Sequence, residues 1–394
     1  MDAVTRASEV MDYMESRRSF ATDLLQRMAE SESPSTEPGA QVEIRELICA
    51  ELERLGLRCR RLQGNTSGGM LLATPGRRRK GAAAQLMLGH YDTVWPVGTL
   101  KTMPFQTQGE RVSGPGVYDM KGGIVQAVLA LEALERWMPE PAVTPMLFAN
   151  SDEEIGSRDS RRMIERLAQQ VDRVFVLEPS LGSAGRLKTA RKGIGRFTVT
   201  VKGKAAHAGL DPGGGASAIL ELSHVIQSLF ALNDPDKGIT VNVGTIDGGL
   251  RPNVVAPESS AVADVRVATH ADAERIEKAI FKLESVTPGT ELSIEGAFGR
   301  PPLEPTPANQ ALWNRARALG SELGIELDEA LAGGGSDGNT TSLYTATLDG
   351  LGPVGDGAHA THEHLHLGKT LQRAALLAML LMEPRISAVA TEAT

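Results

Sequence analysis

Residues 114–123, GPGVYDMKGG, constrain this chain more than any other stretch. They set one acid, Asp119, between a glycine-rich turn and the apolar run IVQAVLALEAL, whose spacing predicts the start of a helix. A carboxylate is thereby expected at a helix N-terminus, pointing into a cleft. Upstream, the apolar run QLMLG ends in His90-Tyr91-Asp92; downstream, TPMLFANS ends in Asp152-Glu153-Glu154, and RVFVLEP ends in Glu178. Any one of these acids alone reads as a turn residue or a helix cap. Three buried strands that each end in a metal-type ligand, around one helix start, are not explained that way.

The remaining sequence predicts the frame around these ends. Two helices, over about 8–30 and 41–55, are separated by the breaker-rich loop SESPSTEPGA. LRCRRLQ and MLLATP read as strands, and the basic RRRKG after them as an exposed turn, its alternative being an anion site. After the Asp119 helix come strand, acidic turn, helix (SRDSRRMIERLAQQ) and strand, the order of a mostly parallel sheet covered by helices, which binds ligands beyond the carboxyl ends of its strands. From about Arg191 the texture changes to strand, helix, two strands, helix, strand, the order of a ferredoxin-like α+β unit. The expected organisation is an α/β catalytic domain in two parts, 1–190 and 302–394, with an inserted domain at 191–301.

With 394 residues the chain is long enough for two or three domains, and no apolar run approaches membrane-spanning length. A net charge of −8 argues against nucleic acid or an anionic membrane as partner, while carboxylates clustered at strand ends suit divalent cations. The N-terminus lacks the basic-then-apolar order of a secretory signal, which favours the cytoplasm, although a signal could have been removed. The two cysteines, Cys49 and Cys59, flank a helix end and a strand start, and are expected on separate faces as reduced thiols.

Catalytic zinc takes imidazole and carboxylate ligands, and two such ions share a carboxylate. The ordered motifs HYD, GPGVYDMKGG, NSDEEIGS, LEPS and GDGAHATHEHLHL resemble the dinuclear zinc peptidase and amidohydrolase family over essentially the whole chain. Within it, HYDTVWPVGT, GSRDSRR and GGGSDGN look closest to the glutamate carboxypeptidases of the carboxypeptidase G type. The resemblance implies two Zn2+ ions per chain, with Co2+ or Mn2+ as possible occupants, bridged by Asp119 with a cis Asp119-Met120 bond. His90 and Glu178 complete one site, Glu154 and His359 the other. Asp92 orients His90, and Glu153 is the general base. Of the four tail histidines, 359, 362, 364 and 366, the family pattern selects His359, with His362 as second choice; His364 stands where the family usually has tyrosine. In the insert, KGKAAHAGLDP resembles the segment whose histidine, here His207, reaches the active site of the opposite subunit of a homodimer and donates to the oxyanion.

The resemblance implies further that Asn253, Arg300 and the turn 333–339, including Gly334, Gly335 and Ser336, hold a substrate carboxylate. Arg186, by its distance from Glu178, meets an acidic side chain, its alternative being an ordinary exposed arginine. Arg266 is explained as well by pairing within the insert. The implied activity is release of a C-terminal amino acid, glutamate or another acidic one, from an acyl, peptidyl or pteroyl-type group. The rivals are an N-acyl amino-acid deacylase or dipeptidase sharing the metal site and, from another class, an inactive metal-bound binding protein. A nucleotide-binding α/β protein is disfavoured, because no glycine fingerprint of the right spacing follows the first strand.

Overall fold

The computed structural model describes residues 3–76 and 82–385; the basic RRRKG tip falls outside them. The chain separates into two compact units. One comprises Met1–Thr189, Pro305–Leu331 and Ser336–Thr394, the other Ala190–Glu304 and Ala332–Gly335. The second unit thus takes in three glycines of a turn that the sequence placed in the returning catalytic segment.

The first unit opens with α1 (Ala3–Ser16) and α2 (Arg18–Glu30) where one helix was expected. The break is at Arg17, whose φ of −93° and ψ of 6° leave the helical region and whose guanidinium pairs with Glu132 at 3.0 Å. Next come α3 (Gln41–Arg54) and β1 (Leu57–Leu62). The expectation of separated thiols fails here: Cys49 and Cys59 form a disulfide, with Cα atoms 5.6 Å apart. Gly56, at φ 77°, reverses the chain so that β1 folds back along the last turns of α3, and ten residues of sequence return to one spot.

Then follow β2 (Met70–Pro75), β3 (Ala84–His90), β4 (Gln106–Gln108), β5 (Arg111–Ser113), α4 (Gly122–Trp137), β6 (Thr144–Asn150), α5 (Arg161–Ala168), β7 (Arg173–Val176) and β8 (Leu187–Arg191). The second unit holds β9 (Gly193–Lys202), α6 (Ala218–Phe230), β10 (Thr240–Gly248), β11 (Glu258–Val267), α7 (His270–Phe281) and β12 (Glu291–Arg300). The return adds α8 (Pro307–Glu322), β13 (Glu329–Ala332), α9 (Asp337–Thr341), β14 (Ala346–Leu348), β15 (Gly355–Asp356), β16 (His364–His366) and α10 (Leu367–Met382).

The main sheet runs β1-β2-β6-β3-β7-β14, parallel from β6 to β14 and antiparallel at the β1-β2-β6 edge. Every residue of β3, β6 and β7 is buried, as a sheet covered on both faces requires. Strand periodicity divides the work: Met87, Leu147 and Phe175 face the core shared with α4 and α10, whereas Leu86, Leu88, Phe148 and Val176 face Ile164 and Leu167 of α5. In the second unit the order β10-β11-β9-β12 is antiparallel throughout, and β9 and β11 alternate between buried and less buried residues. Their apolar face packs on α6 and α7, with Phe197 edge-on to both Phe281 and Phe298, centroids 5.9 Å away. The ferredoxin-like order expected of the insert is therefore present. Among the described residues no helix is long and apolar enough to cross a membrane.

One surface carboxylate ties the β1–β2 loop to α5. Asp159 accepts the backbone N–H groups of Asn65, Thr66 and Ser67 at 2.7–2.9 Å. Burial opposes its charged form, but donors from Thr66, Ser67 and Asn65 outweigh burial and bring its pKa from 3.8 down to about 2. A lowered carboxyl pKa gives stability that is complete above the unfolded value and lost as pH falls through the folded one. Asp159→Ala is expected to cost about 1 kcal/mol at pH 7. In thermal melts the gap to wild type should shrink between about pH 4 and 2; a gap that persists unchanged at pH 2 would show that the carboxylate's charge is not its source.

Candidate metal centre

Strand register places the first two candidate ligands. In the parallel β3–β7 pair Leu88 lies opposite Val176, so His90 and Glu178, two residues further along each chain, stand level at the sheet's carboxyl edge. Nε2 of His90 is 3.3 Å from Oε1 of Glu178. On the other side of β3, His90 is paired with Asn150, so the acidic turn Asp152-Glu153-Glu154 begins just beyond the same edge.

Asp119 arrives from a loop. Residues Val117–Lys121 form a single irregular turn in which Asp119 and Met120 depart from helical backbone, and the bond between them is cis, as the resemblance implied. Asp119 therefore stands before α4 and not in its first turn. Gly123 allows the approach: a Cβ there would collide with the carbonyl of Leu177 in the strand end that carries Glu178. The two oxygens of Asp119 face different histidines. Oδ1 is 3.4 Å from Nε2 of His90, and Oδ2 is 3.6 Å from Nε2 of His359. His359, in the left-handed region at φ 60°, also lies 2.9 Å from Oε2 of Glu154. The other tail histidines are elsewhere: exposed His362 faces Asp356 at 4.0 Å, and His364 and His366 lie in β16.

Asp92 is fully buried and holds this arrangement together. Its carboxylate lies 3.3 Å from Nδ1 of His90 and accepts the N–H groups of Glu153 and Glu154 and the hydroxyl of Ser35. One acid thus orients the imidazole and anchors both neighbouring glutamates. Ligand atoms of His90, Asp119 and Glu154 lie within 4.8 Å of one another, and so do those of His90, Glu153 and Glu178.

The electrostatics reflect crowded negative charge. Burial disfavours the cationic form of His90, but the carboxylates of Asp119, Asp92 and Glu178 overcome it and raise its pKa well above the usual value. Burial pushes Glu154 up to about 7 against the hydrogen bond from His359, and that same bond raises His359 to about 9.

Two residues without an assigned role belong to the site. The fully buried Lys121 donates to the carbonyl of Ser31, and burial lowers its pKa to about 8. Glu363, four residues after His359, is buried and accepts hydrogen bonds from the N–H groups of Gly116, Tyr118 and Asp119 and from Nε1 of Trp95. The motif HATHEHLHL contains Glu363, but only the contact over some 245 residues of sequence reveals what it holds.

The expected substrate residues form separate groups. In the second unit, His207 and Asn253 lie side by side, since His207 bridges Val254 and the N–H of Ala208 donates to the carbonyl of Asn253. Nδ1 of His207 accepts the N–H groups of Gly209 and Leu210, each at 3.1 Å, which leaves the ring proton on Nε2. Arg300 lies against Gly335, and Arg191 donates to the carbonyls of Gly334 and Gly335. Arg266 pairs with Asp264 at 2.7 Å. In the first unit Arg186 is exposed on a tight turn closed against Leu181. Ser336 is buried as the cap of α9, and its N–H already donates to Asn339, so it has none to offer a substrate carboxylate.

The donor set suits a divalent transition metal. Nε2 of His90 is buried, has no hydrogen-bond partner and is surrounded by carboxylate oxygens, which is where a metal would satisfy it. The model of the peptidase family M20/M25/M40 matches residues 86–383. Carboxypeptidase G2 of Pseudomonas sp. (strain RS-16) is 28% identical over 342 residues, 85% of this chain and 82% of that protein. Succinyl-diaminopimelate desuccinylase of Xanthomonas campestris pv. campestris (strain 8004) is 27% identical over 366 residues, 88% and 95% of the two chains. The crystal structure of Bacillus subtilis YXEP, described as a dinuclear metal binding peptidase from the M20 family, superposes with a TM-score of 0.66 at 16% identity, covering 92% of this chain and 99% of that one. The chain is a metal-dependent hydrolase of amide bonds and belongs to peptidase family M20/M25/M40.

Proposed function

We propose that the protein binds two zinc ions, replaceable by cobalt or manganese, and releases a C-terminal acidic amino acid, glutamate foremost, from an acyl, peptidyl or pteroyl-type group. The observation that carries the two-metal assignment is Asp119, whose two oxygens face His90 and His359 separately. His90 and Glu178 would hold one ion, Glu154 and His359 the other, with Asp119 between them. Bound there, the ions would polarise the scissile carbonyl and make water a nucleophile near neutral pH.

The chain's own groups handle the proton and the geometry. Glu153 takes the proton of the attacking water and returns it to the leaving nitrogen. Its backbone is held by Asp92, so the base and the ligand Glu154 are fixed as a pair. His207, with its proton on Nε2, is in the right tautomer to donate to the oxyanion. We assign that role to the His207 of a second subunit in a homodimer formed through the inserted unit. Arg300, Asn253, Gly334 and Gly335 would hold the substrate's α-carboxylate, and Arg186 an acidic side chain. Similarity to carboxypeptidase G2 supports glutamate as the leaving group; similarity to succinyl-diaminopimelate desuccinylase supports the alternative, an N-acyl amino-acid deacylase. Rates on aroyl-glutamate, N-succinyl and N-acetyl amino acids and dipeptides separate them, and a preference for acyl groups irrespective of the leaving amino acid would overturn the carboxypeptidase assignment.

Base and ligand should part on mutation. Glu153→Gln is expected to keep about two metals per chain by elemental analysis while kcat falls by roughly 10²–10⁴-fold; Glu154→Gln should lose metal as well. Near-normal kcat in Glu153→Gln would remove it from the role of base; a metal-loaded wild type inactive on every substrate class would instead support the inactive-binder alternative.

Subunit sharing has its own test. His207→Ala should lower kcat by roughly 10²–10³-fold at unchanged metal content. Mixing Glu153→Gln chains with His207→Ala chains should restore activity, because one site of each mixed dimer then has both residues intact. Absence of recovery after demonstrated chain exchange would place His207 within its own subunit's chemistry or outside it.

A further inference from the structure

We infer that Glu363 is a positioning residue that presets the loop of Asp119 for metal before any metal arrives. The inference rests on Asp119 and His359 being ligands, as proposed above. Asp119 sits on a loop, and a loop acid can bind tightly only if its backbone is already in place, since ordering it at the moment of binding costs free energy. What would order it is visible. Oε1 of Glu363 accepts the N–H groups of Tyr118 at 3.0 Å and Asp119 at 3.1 Å, and Oε2 accepts that of Gly116 at 3.0 Å and Nε1 of Trp95 at 2.8 Å. Three donors come from four consecutive residues of the turn, ending at Asp119 itself. The fourth comes from the loop that follows Asp92.

A carboxylate suits this task because it accepts only, and offers about four lone-pair sites for the four donors. Glutamine in the same place presents an NH2 group toward two of the N–H donors and must lose or break those contacts. Burial sharpens the difference, because Glu363 is 1% exposed and water has little access to replace a lost partner. The brace also links two ligands. Glu363 and His359 leave the same short loop, which packs on the Asp119 turn through the N–H of Gly114 donating to the carbonyl of Glu363. Fixing Glu363 therefore fixes both the bridging acid and the approach of His359, which belong to opposite parts of the sequence. Lys121, a buried cation in the same turn, complements the charge of Glu363.

The test is metal affinity and backbone protection in the metal-free protein, so that neither readout depends on turnover. Competition with a chelator should show Glu363→Gln binding zinc roughly 10–100-fold more weakly than wild type, the loss typical when a group supporting a ligand is removed. Hydrogen exchange on the metal-free chains should show faster exchange confined to residues 114–121 and 357–363. Trp95→Phe, which leaves all three backbone bonds, should stay within about threefold of wild-type affinity. Glu363→Asp keeps the charge but retracts it by one methylene, and should fall between wild type and Glu363→Gln; it carries the test if Glu363→Gln fails to fold. Affinity within twofold of wild type in the folded variants, or exchange raised evenly across the first unit, would overturn the inference and leave Glu363 a packing residue. If wild type itself bound no metal, the ligand assignment would be at fault instead.

Discussion

The structure depends on keeping several carboxylates within a few ångströms of one another at the edge of a buried sheet. Asp92, Asp119, Glu153, Glu154 and Glu178 converge on His90, and like charges at such separations repel strongly where water is scarce. Backbone N–H groups answer part of that charge: Asp92 receives those of Glu153 and Glu154, and Glu363 receives three from the Asp119 turn. Neighbouring carboxylates raise the pKa of His90 and of His359, whereas burial is what chiefly raises that of Glu154. If these groups ligate divalent cations as proposed, metal uptake would be accompanied by proton release.

The rest of the first unit keeps that edge in register. A one-residue slip of β7 against β3 would turn Glu178 to the opposite face and remove it from His90, so the buried alternation of the parallel strands fixes the spacing of these two groups as well as a core. Gly123 lets α4 begin against the end of β7, and the same close approach brings the Asp119 turn to His90 at the end of β3.

The parallel order of strands and the residues at their ends were legible because buried parallel strands read as continuous apolar runs and the candidate ligands follow them directly. The ferredoxin-like order of the insert was legible from alternation in GRFTVTVKG and SSAVADVRVAT. The failures share one feature: the contact that decides each of them leaves no apolar period in the sequence. Gly56 turned Cys59 back onto Cys49, Arg17 broke a helix whose apolar spacing runs straight through it, and Ser336 spent its N–H on Asn339. Glu363 was visible as a letter in a motif, but a buried acceptor declares itself only through its donors.

The two neighbouring glutamates, Glu153 and Glu154, leave one turn toward different groups. Both N–H groups are tied to Asp92, so neither backbone can shift independently, and the difference is carried by side-chain direction alone. Glu154 meets His359 and lies with His90 and Asp119, while Glu153 lies with His90 and Glu178. A carboxylate committed to a cation is a poor base, because the cation holds the lone pairs that a proton would need. In the proposed mechanism Glu153 would therefore have to lie near the metals without binding one. The attachment of its backbone to Asp92 fixes where the Glu153 side chain starts, beside His90 and Glu178.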